Sequence, residues 1–216
     1  MNKSIKYLIE SSNDNLFDDI YDPNDVYDII SNDLFNDNNL GNIYYYKKKP
    51  YAICCGLAED FKDKKDRYVL CKKEQKSVWC KQYNDIYRYT LSYNFFIRKK
   101  SDIRKIDETG FINTNYIKRN FNFNNNVAIK LCLKYGDNAY LPAIDELQHL
   151  YFNISSLNNI LNFYKLPIIN LNLNYWSSTL LSQYTAARIH MNKERAHIIN
   201  FNLLDGAFIK PFIKID

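Results

Sequence analysis

Apolar residues recur with two different periods along this 216-residue chain, and the change of period divides it into segments. From Ile43 onward the stretches IYYY, YAICC, RYVLC and SVWC are short, aromatic or β-branched. Charged stretches such as Glu59 to Asp66 interrupt them, which predicts strands joined by turns. The period then lengthens. Ala128, Leu131, Cys132 and Tyr135 stand at i, i+3, i+4 and i+7, after the N-cap choices Asn124 to Asn126 and before Gly136, and predict a helix with one buried face. Ile144, Leu147, Leu150 and Tyr151 predict a second helix, opened by Pro142 and carrying Glu146 in its first turn. Leu157, Ile160, Leu161 and Tyr164 predict a third, starting at Ser155 or Ser156. After Pro167 the pattern returns to strand in NYWSS, AARIHM, AHIINFNLL and AFIKPFIKI. Residues 81–118 are charged, aromatic and weakly periodic, and read as loops with one strand around Tyr93 to Ile97. Strands, then helices, then strands is the order of an α+β fold.

Residues 1–42 follow neither period. Short apolar pairs alternate there with acids, and only Val26, Ile29 and Ile30, preceded by Pro23 and Asn24, are spaced for a short helix. So short an amphipathic piece gains little by itself. The expectation is an adaptor arm that orders against something else, followed by one domain over residues 43–216. Charge sharpens this division. Up to Asn42 nine acids face two lysines, a net −7, and the remaining 27 bases and 15 acids give +12. An acidic arm on a basic body suits either docking of the arm on the body or an arm aimed at another protein.

Composition removes several function classes. The chain has 29 Asn, 19 Tyr and 13 Phe against 5 Gly and 5 Pro, a skew that A/T-rich codons explain without any role for asparagine. Lys and Arg are scattered and no nucleic-acid-binding motif is present, so no nucleic-acid partner is expected. Cys54, Cys55, Cys71, Cys80 and Cys132 form no C-x-x-C pair. The N-terminus has no apolar signal region and no apolar run reaches the roughly 20 residues that span a bilayer. Reduced, mostly buried thiols in a cytoplasmic or virion setting are the expectation, with no membrane insertion. Zinc held by Cys71, Cys80 and a histidine would need a spacing unlike the usual clusters, so no metal and no cofactor are expected.

Three stretches carry a resemblance. LPAIDELQHLYFN at residues 141–153, NYWSST at 174–179 and the terminal IKPFIKI resemble the C-type-lectin-like domain of bacterial surface proteins, gut phage virion proteins and the variable proteins of diversity-generating retroelements. That family runs Trp-x-Leu-Pro-Ser/Thr-x-x-Glu-Leu, then Tyr-Trp-Ser-Ser-Thr, then a last strand near Val-Arg-Pro-Phe. PYAICCGLAEDFKDKKDRYVLC resembles its opening hairpin, so the likeness covers about residues 43–216. It implies short helices packed on antiparallel strands, with Leu141, Pro142, Glu146, Leu147, Tyr175, Trp176, Ser177 and Ser178 as structural positions. The chain departs from the pattern in three places. Ala139-Tyr140 replaces the Trp before Leu-Pro, Ala143 replaces the capping Ser or Thr, and Lys210 replaces the Arg. No Glu-Pro-Asn, Gln-Pro-Asp or Trp-Asn-Asp occurs, so calcium-dependent sugar binding is not implied. The copper-site cysteine pair of the related formylglycine-generating enzymes has no counterpart either.

The adjacent Ser177 and Ser178, with His190, His197 and Asp205 downstream, raise the alternative of a hydrolase. A serine nucleophile needs a base in reach and an oxyanion hole, usually on a Gly-flanked turn. Ser177 lies between Trp176 and Ser178 with no glycine near, which favours architecture and no catalytic residues. Function then falls to the surface displayed. The resemblance implies a ligand-facing platform after Trp-Ser-Ser-Thr, where this chain holds Tyr184, Arg188, His190, Asn192 and Arg195. Strand alternation sends Arg188, His190 and Asn192 to one face and Ile189 and Met191 to the other. The expected protein is a non-enzymatic virion-associated structural or display protein. Its arm would bind other virion or assembly proteins, and its body a cell-surface protein or glycan. The alternative is a self-assembling subunit, a homo-oligomer with no external ligand.

Overall fold

In the computed structural model the residues described are 28–30, 39–57, 65–83, 110–120, 125–182 and 184–215. The first half contributes β1 (Asp28–Ile30), β2 (Ile43–Tyr46), β3 (Lys49–Leu57), β4 (Asp66–Leu70) and β5 (Gln75–Val78). Two helices follow, α1 (Gly110–Asn120) and α2 (Val127–Leu133), then the short β6 (Ala139–Tyr140) and the long α3 (Ile144–Phe163). The chain finishes with β7 (Asn174–Ser182), β8 (Thr185–Met191), β9 (Ala196–Asn202), β10 (Gly206–Ile209) and β11 (Phe212–Ile213).

The strands form two sheets, ordered β1-β2-β3-β4-β11-β6 and β5-β10-β7-β8-β9. Pairing is antiparallel except between β10 and β7. This is an α+β fold. The first sheet is buried on both faces at its centre, which explains why YAICC and RYVLC read as continuous apolar runs rather than alternating ones. Ile53, Cys55, Val69 and Cys71 face α3 and the inner face of β7–β8, where Tyr175, Ala187, Ile189 and Met191 meet Leu147, Leu150, Leu157 and Leu161. Ala52, Cys54, Tyr68 and Leu70 face the opposite way, beside Tyr44, Tyr46 and Tyr51. A separate core joins α2 to the other face of the second sheet through Trp79, Ile129, Leu141, Trp176 and Leu203.

Several expectations are corrected. Ile29 and Ile30 lie in a strand, not a helix: β1 pairs antiparallel with β2, Ile29 opposite Tyr44. A three-residue apolar piece cannot pay the cost of helix nucleation, whereas an open sheet edge offers it ready partners. The helix after Pro142 and the one placed at Ser155 or Ser156 are a single 20-residue helix, α3, with both serines in its interior. Residues 81–118 are not loop throughout, because α1 begins at Gly110. Its buried positions are Gly110, Asn113, Thr114 and Ile117, the i, i+3, i+4, i+7 spacing of a helix written mostly in polar residues. The strand expected around Tyr93 to Ile97, and Val26, Pro23 and Asn24, lie outside the described residues.

Candidate functional site

The stretches LPAIDEL and NYWSST converge where α3 begins. Ala143, at the N-cap, has no side-chain hydroxyl to offer, but Glu146 turns back and its Oε2 accepts the Ala143 N–H at 2.8 Å. A second orphan donor, the Ile144 N–H, is taken by Thr179 Oγ1 of β7 at 3.0 Å. A neighbouring strand thus supplies what the missing cap does not. Glu146 Oε1 accepts from Arg67 Nε at 2.8 Å and from the Tyr140 hydroxyl at 3.1 Å. Burial pushes the Glu146 carboxyl up to about 7, against the opposing pull of Arg67 and of the Ala143 N–H. The Tyr140 ring stands edge-on to Phe111 and Phe212 with centroids 5.8 and 6.0 Å away. A cleft of about 270 Å³ opens over this pair, lined by Lys65, Arg67, Phe111, Tyr140, Glu146 and Lys214 among others. Both Glu146 oxygens are already engaged, so the carboxylate serves the helix end.

The serines are engaged in the same way. Ser177 Oγ donates to the Ala187 carbonyl at 2.6 Å and accepts the Thr179 N–H at 3.2 Å. Ser178 Oγ accepts from Asn113 Nδ2 at 3.1 Å, and the Ser178 N–H reaches the Pro142 carbonyl at 2.8 Å. No histidine is a partner of either hydroxyl in these bonds. His149 sits apart on α3, its ring Nε2 3.1 Å from the Gly56 carbonyl, with burial lowering its pKa. The two indoles are exchanged between segments: Trp79 Nε1 donates to the Ser177 carbonyl at 2.9 Å and Trp176 Nε1 to the Ser77 carbonyl at 3.0 Å. Lys210 is fully buried, donating to the Lys72 carbonyl at 2.6 Å with Glu74 at 3.8 Å, and burial lowers its pKa. Leu141 and Leu147 lie in the two cores that meet here.

The five platform residues lie along one hairpin, not in one pocket. β8 and β9 pair from Thr185 opposite Asn202 to Met191 opposite Ala196. Ile189 and Met191 are buried in the core, and Arg188 pairs with Trp176 on one side and Ile199 on the other, so this face looks away from α3. Tyr184 stands at one end of the hairpin, 45% exposed and edge-on to Tyr83 at 5.1 Å. Asn192 stands at the other end and holds the turn, its Oδ1 accepting from the Glu194 and Arg195 N–H groups at 2.9 and 2.8 Å. Arg195 is exposed in that turn, while His190 lies opposite His197, half-buried. The ends are separated by a seven-residue strand, about 20 Å.

Arg188 stands out within this face. Its guanidinium lies over the Phe201 ring, 3.1 Å from the centroid, and Phe201 in turn leans on Trp176 at 6.3 Å. Its residue exposure is only 9%, and its Nε is buried with no hydrogen-bond partner. Phe201 and Asp205 complete its surroundings; the sequence marks Asp205 only as a possible triad acid, and nothing there marks Phe201. The alternation His197, Ile199, Phe201 along β9 would have placed Phe201 beside Arg188 once the hairpin register was known. Among the described residues, no group of three or more His, Cys, Asp or Glu side chains could hold a metal ion.

No family model matches the chain, and no characterised protein sequence matches it. Its fold is similar to that of a fimbrial protein from Bacteroides ovatus ATCC 8483, with a TM-score of 0.52 at 12% identity. The likeness covers 69% of this chain and 35% of that one, so this chain corresponds to about a third of the fimbrial protein.

Proposed function

We propose that the chain is a non-enzymatic structural or display protein of a virion or bacterial surface assembly. Its body, residues 43–216, is C-type-lectin-like, residues 1–42 attach it to the assembly, and the outer face of β8–β9 meets a protein or glycan. The observation that carries this reading is the two-sided hairpin. One face is locked by Ala187, Ile189 and Met191 into the core, which leaves Arg188, His190 and Tyr184 on a rigid support. The commitment of Ser177 to backbone, of Ser178 to the Asn113 amide and of Glu146 to the helix end supports a role without catalysis. The fimbrial likeness is compatible with such a role. Pull-downs from host and native-source material, with full-length protein beside a 43–216 variant checked for folding by circular dichroism, test it. Capture of assembly proteins by the full chain only, with surface material captured by both, is the expected result. If neither captures anything but itself, the display reading is lost.

That second outcome has its own motive. β9 is the edge of its sheet and carries no Asp, Glu, Lys or Arg from Ala196 to Asn202, with Ile198 and Ile199 44% and 36% exposed. An open apolar edge is a template for pairing. A self-assembling subunit would lose its oligomer on Ile199→Lys, measured by light scattering. An unchanged mass would remove this reading.

A further inference from the structure

We infer that Arg188 anchors a carboxylate subsite on the outer face of β8–β9, taking the acid group of a uronic-acid-type sugar. The inference rests on the display reading above and gives it a ligand class. An arginine is seldom nine-tenths buried without a partner for its donors, because a buried donor that meets no acceptor costs roughly 1–3 kcal/mol. Arg188 is in that position: it is 9% exposed and its Nε has no acceptor. Phe201 holds the guanidinium flat, and Trp176 backs Phe201, so the fork is fixed before a ligand arrives. A fixed planar fork matches the two oxygens of a carboxylate, and little side-chain freedom is left to lose on binding.

The surroundings favour a sugar over a peptide acid. Tyr83 and Tyr184 stand edge to face at the end of the same hairpin, with Tyr184 exposed. An aromatic edge at the hairpin's end and a fixed guanidinium along it suit the C–H face and the carboxylate of an acidic saccharide. One charge opposes the ligand. Asp205 acts electrostatically on Arg188 yet forms no salt bridge with it among the described residues, so it is a competitor that does not occupy the fork.

The test is calorimetric titration of the full chain with oligogalacturonate, with a neutral gluco-oligosaccharide of equal length, and with an oligoglutamate peptide. Binding of oligogalacturonate above the other two is expected, falling at least tenfold in Arg188→Met and less in Arg188→Lys. Asp205→Asn should tighten it roughly three- to tenfold, a gain that a merely structural arginine would not give. Thermal unfolding of each variant separates lost binding from lost fold, and Asp205→Asn keeps the test alive if Arg188→Met fails to fold. Equal binding of oligoglutamate, or acidic-sugar binding that ignores both substitutions, overturns the inference. Neutral-sugar binding untouched by Arg188→Met overturns it while leaving the display reading intact. No saccharide binding, combined with pull-downs that capture only the protein itself, sinks both.

Discussion

Glu146 shows how a single side chain couples two elements to pH. Burial raises the Glu146 carboxyl to about 7 in the folded protein against the pull of Arg67, whereas an unfolded glutamate ionises near the ordinary value of 4.5. Between those values the folded state binds more protons, so this contribution to stability falls as pH rises. Denaturant unfolding of the wild type and Glu146→Gln across pH 4–8 should show the glutamate losing up to about 3 kcal/mol relative to glutamine over that window. A flat difference would place the proton elsewhere. Gly110 packs against the same carboxylate, and a Cβ there would lie 2.3 Å from Glu146 Oε2 and 2.6 Å from the Ala143 nitrogen. No side chain fits without moving the end of α3. Trp176 answers the question of the serines from the other side. It is fully buried, and Trp176→Ala should cost about 3–5 kcal/mol by chemical denaturation, where near-wild-type stability would contradict its place in the core.

At the scale of elements, the turn between β2 and β3 is built from the wrong residues for its shape. Lys47 and Lys48 have φ of 48° and 64°, the left-handed region that a two-residue hairpin needs and that Asn and Gly adopt far more readily. Replacing the pair by Asn-Gly should raise stability by roughly 1 kcal/mol, read as a higher melting temperature. What was legible in the sequence follows from similar local physics. The central strands declared themselves as short aromatic and β-branched runs, and the helices whose buried positions are apolar by their period. α1 did not, since Asn113 and Thr114 occupy its buried face and find partners in Ser178 and Leu141, which only the fold supplies. β1 was hidden for a related reason, because its conformation is set by the edge of β2 and not by its own residues. The strand alternation at Arg188 and Ile189 was readable, but the neighbours that make Arg188 unusual, Phe201 and Asp205, depended on register.

For the whole molecule, the five thiols share one fate. All are free and buried, and burial pushes Cys54 and Cys71 up to about 12. Their reaction with an aromatic disulfide reagent should therefore wait for unfolding, with all five appearing together as denaturant rises. A thiol that reacts in native buffer would reveal a part of the core that opens separately. The exchanged indoles carry a further consequence. The chain has two tryptophans, both fully shielded, and each is tied by its N–H to the segment that holds the other. Their ultraviolet emission is therefore a single optical gauge of whether residues nearly a hundred positions apart are still joined. It will shift to the red when that one seam parts.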